Sequence, residues 1–156
     1  MKANTDKINE RLEFLKERIE IDRKEVEDLI SRKIELDRVV SQARLAKLLN
    51  EPLKSIVDMD FDDKFEYLRD IGLAHGIKHT IYSVYEHELY EVAVTGKKTI
   101  IGHGWDETYS VEVENPTWLD VWKLSDKMVD KVNDHHHVFL EGLYEDGDNL
   151  IFSMGS

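Results

Sequence analysis

The first 51 residues contain neither glycine nor proline and carry apolar side chains at alternating spacings of four and three. The run Ile8, Leu12, Leu15, Ile19, Asp22, Val26, Leu29, Lys33, Leu36, Val40, Ala43, Lys47 is apolar at nine of its twelve positions, which is heptad register. Read as one helix from about Asn4 to Leu49, it extends roughly 70 Å at 1.5 Å per residue. A globular remainder of about 100 residues has a radius of gyration of only about 13 Å. That remainder is too small to cover the seam, and a long apolar seam is stable in water only when buried. The sequence therefore predicts an oligomerisation arm, residues 1–52, whose contact residues are Leu12, Leu15, Ile19, Val26, Leu29, Leu36 and Val40. A homo-oligomer is the expected assembly.

The competing arrangement is a hairpin that folds back near Ile21–Asp22, where Asp22 and Glu25 have the spacing of a capping box. No glycine or proline lies nearby to make the turn. Asp22, Lys33 and Lys47 interrupt the seam. Polar residues at such positions set register or oligomer number, or else extend their charged ends to water from an imperfect seam. Toward its end the helix becomes apolar on several sides through Leu45, Ala46, Leu48 and Leu49, so this part is expected to dock on the globular core. Pro52 supplies the stop.

Charge divides the chain at the same place. Residues 1–52 hold 12 Lys plus Arg and 12 Asp plus Glu, so the remaining 9 basic and 21 acidic residues give 53–156 the whole net charge of −12. A domain of that sign repels phosphate backbones, which argues against direct nucleic-acid binding. It suits either solubility or an acidic module that occupies the basic nucleic-acid groove of another protein. The absence of cysteine rules out a disulfide scaffold, a thiolate zinc site and a thiol enzyme. No stretch has the length of a membrane span, and the opening residues lack the apolar run of a signal peptide, so a cytoplasmic protein without membrane association is expected.

Residues 53–156 are expected to form an acidic α+β domain: a small, mainly antiparallel sheet covered by one or two helices. Asp60 is placed to cap a helix with Phe61, Phe65, Leu68 and Ile71 on one face. Period-two alternation then predicts strands over Thr80–Tyr85, Leu89–Val94, Thr99–Ile101 and Tyr109–Val113. Asn115-Pro116-Thr117 opens a second helix, with Thr117 and Asp120 as a capping pair and Val121, Leu124, Met128 and Val132 as its buried stripe, broadened by Trp118 and Val129. His135–Tyr144 and Asn149–Ser153 read as a hairpin about Gly147.

Two segments concentrate residues able to bind something. In the consecutive histidines His135, His136 and His137, strand alternation would put His135, His137 and Glu141 on one face. The segment Gly102-His103-Gly104-Trp105-Asp106-Glu107 has glycines that let the backbone approach a partner and a tryptophan suited to stacking. Its plainer reading is an inter-strand connection with Trp105 folded onto the core. Together they predict a ligand site of His103, Gly104, Trp105, Asp106, His135, His137 and Glu141. No cofactor motif is present, and a divalent metal on His103, His135 and His137 is the one cofactor the residues suggest.

Other features dissolve on inspection. Gly96-Lys97-Lys98-Thr99 lacks the upstream glycine and following helix of a phosphate loop and reads as a turn. Lys123, Lys127 and Lys131, flanked by Asp126 and Asp130, read as a solvated helix face. Three functions follow from the residues. The leading one is a non-enzymatic oligomeric binding protein, a small regulator or inhibitor, that captures a small ligand or a partner segment. The second is a metal-dependent hydrolase with Asp106 or Glu141 as base. The third is the acidic interaction module, so enzymatic activity is left open with the balance against it.

Overall fold

A computed structural model describes residues 2–156, with side chains from Thr5 onward. The first element, α1 (Lys2–Asn50), is one uninterrupted helix of 49 residues. The fold-back at Asp22 is not adopted. With no helix breaker at hand, Asp22 pairs along the helix with Arg18 at 3.6 Å instead of capping a new one. Further pairs at helical spacing, Lys16–Glu13 at 2.7 Å and Arg38–Glu35 at 2.6 Å, line the same helix.

The chain forms two compact units, residues up to Arg44 and Leu45–Ser156. The division lies within α1 because its last turns belong to the second unit, where Leu48 packs against the core as its apolar surroundings suggested. The Asn50 side-chain amide donates to the Ala46 carbonyl at 2.9 Å and satisfies a terminal acceptor.

The second unit is α+β. Its elements are α2 (Phe61–Ala74), β1 (Ile81–Tyr82), β2 (Lys97–His103), β3 (Thr108–Glu114), α3 (Trp118–Val132), β4 (Phe139–Asp146) and β5 (Asn149–Gly155). The sheet order is β1-β4-β5-β2-β3. The antiparallel hairpins β2–β3 and β4–β5 each pair over seven positions, whereas the parallel joins β1–β4 and β2–β5 pair over two. The ladder is thus mainly antiparallel, with short parallel contacts that make the sheet mixed.

Helix ends follow the sequence closely. Asp60 accepts from the Asp63 amide at 3.0 Å, and Thr117 with Asp120 closes a reciprocal capping box. Asn133 ends α3 in the left-handed region, φ 53°. Trp118, Val121, Met128, Val129 and Val132 are buried, and they pack in one core with Ile100, Leu140, Leu150 and Phe152 of the sheet.

Two expected strands are not formed as such. Thr80–Tyr85 contracts to Ile81–Tyr82: Ile81 and Ser83 donate to the Val138 and Leu140 carbonyls, while the His79 amide, next in that alternation, is taken by Asp126 at 2.6 Å. Leu89–Val94 is a run of turns and bends tied to the start of α3: Leu89 is fully buried, the Leu89 and Glu91 carbonyls accept from the Leu119 and Trp118 amides at 2.9 and 3.0 Å, Ala93 donates to the Pro116 carbonyl at 2.8 Å, and Val92–Thr117 forms an isolated bridge. Apolar alternation there serves a packed loop rather than a sheet. Asp126 also departs from the expected solvated face. It is buried and accepts hydrogen bonds from the amides of Lys78, His79 and Thr80, so it ties α3 to the chain entering β1. On α2, Leu68 and Ile71 are buried while Phe61 and Phe65 stay exposed.

Candidate functional site

The sequence singled out the seam of α1, the segment Gly102–Glu107 and the histidine run His135–His137; the seven seam contact residues belong to the first unit and the other two segments to the second. On α1, Leu12, Leu15, Ile19, Val26, Leu29, Leu36 and Val40 are all exposed, from 42% at Leu15 to 66% at Ile19. Nothing within the first unit covers them, as a lone helix has no second layer to bury its apolar stripe.

In the second unit the hairpin glycines have a definite purpose. A Cβ on Gly102 would lie 2.7 Å from the Met128 sulfur, and one on Gly104 would lie 2.5 Å from the Val132 Cβ and 2.9 Å from its carbonyl oxygen. The close approach that two glycines permit is made to α3, so the hairpin lies directly on that helix. Gly104 donates to the Glu107 carbonyl at 2.8 Å and closes the turn. Trp105 stands at its tip 84% exposed and does not fold onto the core. Asp106 and Glu107 are exposed beside it.

The histidine run is not a strand. Asp134 accepts from the His136 amide at 3.3 Å and sits 2.8 Å from His137 Nδ1, which holds the run as a turn and delays β4 to Phe139. Strand alternation therefore does not govern these side chains. His137 and His103 line one cleft of about 230 Å³ with Asp134, Tyr144 and Met154, over a floor that includes Met128, Val129 and Phe152. His135 instead meets His79 edge-on, ring centroids 5.0 Å apart. Glu141, exposed on β4, lies over Gly155. The structure thus brings together His103 and His137 of the expected ligand set, adds Asp134, and keeps Gly104, Trp105, Asp106, His135 and Glu141 out of the cleft lining.

The expected metal triad is corrected by the same geometry. His103, His135 and His137 do not converge, and no group of three or more His, Asp or Glu side chains among the described residues is arranged to hold a metal ion. Asp134 is the most engaged carboxylate here. The hydrogen bond from His137 holds its carboxyl below the usual range, aided by the His136 amide and opposed by burial.

A second concavity went unnoticed in the sequence. It measures about 330 Å³ and lies between α2 and the segment 77–85, walled by Phe65, Leu68, Tyr82, Tyr85 and Trp122 with Arg69 at its edge. Its signal was the apolar face of α2, broader than one small core uses. No described helix is long and apolar enough to cross a membrane. No protein-family model matches the sequence, and no curated protein or solved structure matches it.

Proposed function

We propose that the protein is a non-enzymatic, homo-oligomeric binding protein in which α1 assembles copies and the compact unit captures a small ligand in the cleft of His103, Asp134 and His137. The observation that carries the reading is the exposure of every oligomerisation residue along a helix of 49 residues. Burying a Val, Leu or Ile side chain gains about 1.5–3 kcal/mol, and seven such residues in one stripe supply a driving force that a second helix satisfies at once. The cleft supports the ligand half of the reading. It gathers His103, Tyr144 and the Asp134–His137 pair with Met128, Val129 and Phe152, so polar groups able to orient a ligand stand beside apolar surface. Its volume suits a compact polar molecule.

Sedimentation equilibrium over a wide concentration range tests the assembly. Wild-type protein is expected to associate, and Ile19→Asp/Leu36→Asp to sediment as a monomer with its compact unit intact. A monomeric wild type would overturn the proposal. For the cleft, a screen of small polar compounds by NMR shift perturbation should move the resonances of His103, His137 and Tyr144. A screen that moves none of them, or moves them equally in a variant carrying Met154→Trp to fill the cleft, would remove the ligand half.

A further inference from the structure

We infer that α1 pairs with α1 of a second copy in antiparallel orientation, in the register that sets Val26 opposite the partner's Leu29. The inference rests on the self-association proposed above and adds its orientation and alignment. Its warrant is the charge pattern. A helix with a heptad seam has two ways to meet its own copy, and the residues flanking the seam decide between them.

In a parallel pair each seam residue meets itself. Asp22 would face the partner's Asp22, Lys33 the partner's Lys33 and Lys47 the partner's Lys47. The flanking contacts would place Arg11 beside the partner's Lys16 and Arg18 beside the partner's Arg23. Against these like-charge contacts stands one unlike flank, Arg32 with the partner's Asp37.

The antiparallel register removes every like-charge contact. With Val26 opposite the partner's Leu29, Ile19 meets the partner's Leu36, Leu15 meets the partner's Val40, and Asp22 meets the partner's Lys33. The two polar interruptions of the seam become partners, twice, by the two-fold symmetry of such an interface. The flanks follow suit: Lys16 falls beside the partner's Asp37 and Glu25 beside the partner's Arg32. Lys47 comes opposite the partner's Ile8 in an end layer, where its ammonium reaches water.

The same register brings Thr5 level with the partner's Asn50, so the helices overlap over almost all of Lys2–Asn50. Sliding the antiparallel pair by one heptad step sets Lys33 against the partner's Leu29 or Leu15 and Asp22 against the partner's Val40 or Val26, which buries charge against apolar side chains and shortens the overlap. In the single chain Asp22 and Lys33 are 59% and 79% exposed and make long intrahelical pairs, 3.6 Å to Arg18 and 3.6 Å to Asp37. Exposed pairs of this kind are weak and yield readily to a partner across a seam.

Disulfide trapping in the full chain tests the orientation, since the protein has no cysteine of its own. Ile19→Cys protein mixed with Leu36→Cys protein should oxidise mainly to the mixed dimer. Each variant alone should cross-link poorly, because its own position on the partner lies roughly 25 Å away along the axis while a disulfide needs Cα atoms within about 7 Å. In parallel, Asp22→Lys and Lys33→Asp should each weaken association at least tenfold by sedimentation. The double variant, or an equimolar mixture of the two single ones, should restore it to within threefold. Efficient 19–19 and 36–36 disulfides, absent charge-swap rescue or a mass above the dimer would overturn the antiparallel pair while leaving self-association in place. A wild type monomeric at all concentrations would instead overturn the reading on which it rests.

Discussion

Removing the Asp126 carboxylate is the sharpest stability test of the second unit. Its Oδ1 accepts from the His79 amide at 2.6 Å, the Thr80 amide at 2.9 Å and the Thr80 hydroxyl at 3.3 Å, and the Lys78 amide lies 3.2 Å from both oxygens. Three successive backbone donors thus converge on one buried side chain of α3. In Asp126→Ala they keep their burial and lose their acceptor. A hydrogen bond to a charged group contributes about 1.5–3 kcal/mol. The donors compete largely for one oxygen, and the Lys78 amide is only part-buried, so two full bonds are the proper count and the expected loss is about 3–6 kcal/mol. For a unit of this size, where total stability is about 5–15 kcal/mol, that lowers Tm by roughly 12–24 °C. Asp126→Asn retains a carbonyl acceptor and should lose about half as much. Asp130→Ala, one turn later and 72% exposed, should change stability by less than about 0.5 kcal/mol. Urea unfolding followed by tryptophan fluorescence is the assay, because all three tryptophans lie in the second unit and Trp122 Nε1 donates to the Thr80 carbonyl at 3.3 Å beside the lesion. A loss below about 1 kcal/mol in Asp126→Ala would refute the claim that this carboxylate organises the entry to β1.

Glu88 offers a pH test: burial pushes its carboxyl up, but hydrogen bonds from Ser55, Ile56 and Val57 outweigh it and leave the carboxyl below its ordinary value. A folded-state value below the unfolded one contributes stability above the unfolded carboxylate range and loses it as pH falls through the folded value. Glu88→Gln should therefore be less stable by about 1.5–3 kcal/mol at pH 7, with the gap closing below about pH 4.5 in urea titrations; a gap independent of pH would contradict the assignment. Gly104→Ala should destabilise by about 1–3 kcal/mol, because the new methyl meets both the Val132 side chain and its carbonyl, whereas Trp105→Ala should stay within about 0.5 kcal/mol; the reverse order in thermal melts would disprove the close hairpin–helix approach. Asp134→Asn should weaken the hold on His137, seen as greater mobility of the His137 ring in NMR relaxation, and an unchanged ring would deny Asp134 its positioning role.

Helix boundaries were legible from residues alone because their causes are local. A glycine- and proline-free stretch with seven-residue periodicity has no cheap place to bend, so α1 runs through Asp22 unbroken. Thr117 with Asp120 and the cap Asp60 stand where the sequence implied, and the Asp63 amide and Asn133 that complete these helix ends also act within one turn of chain. The mainly antiparallel character of the sheet followed similarly from turn chemistry at Gly147 and between β2 and β3.

What tertiary structure alone decided were matters of competition between distant groups for the same atom or volume. Asp126 looks like one more solvated carboxylate of a helix, and only the arrival of residues 78–80 makes it a buried acceptor that holds the entry to β1. Asp134 likewise takes the histidine run out of the strand, separating His135 from His137, while the glycines beside His103 prove to face Met128 and Val132. A sequence states which donors and acceptors exist and how a chain repeats. Which of them meet across intervals of roughly thirty to fifty residues depends on packing that must bury apolar surface and satisfy every hydrogen bond at once, and that balance is struck only in three dimensions.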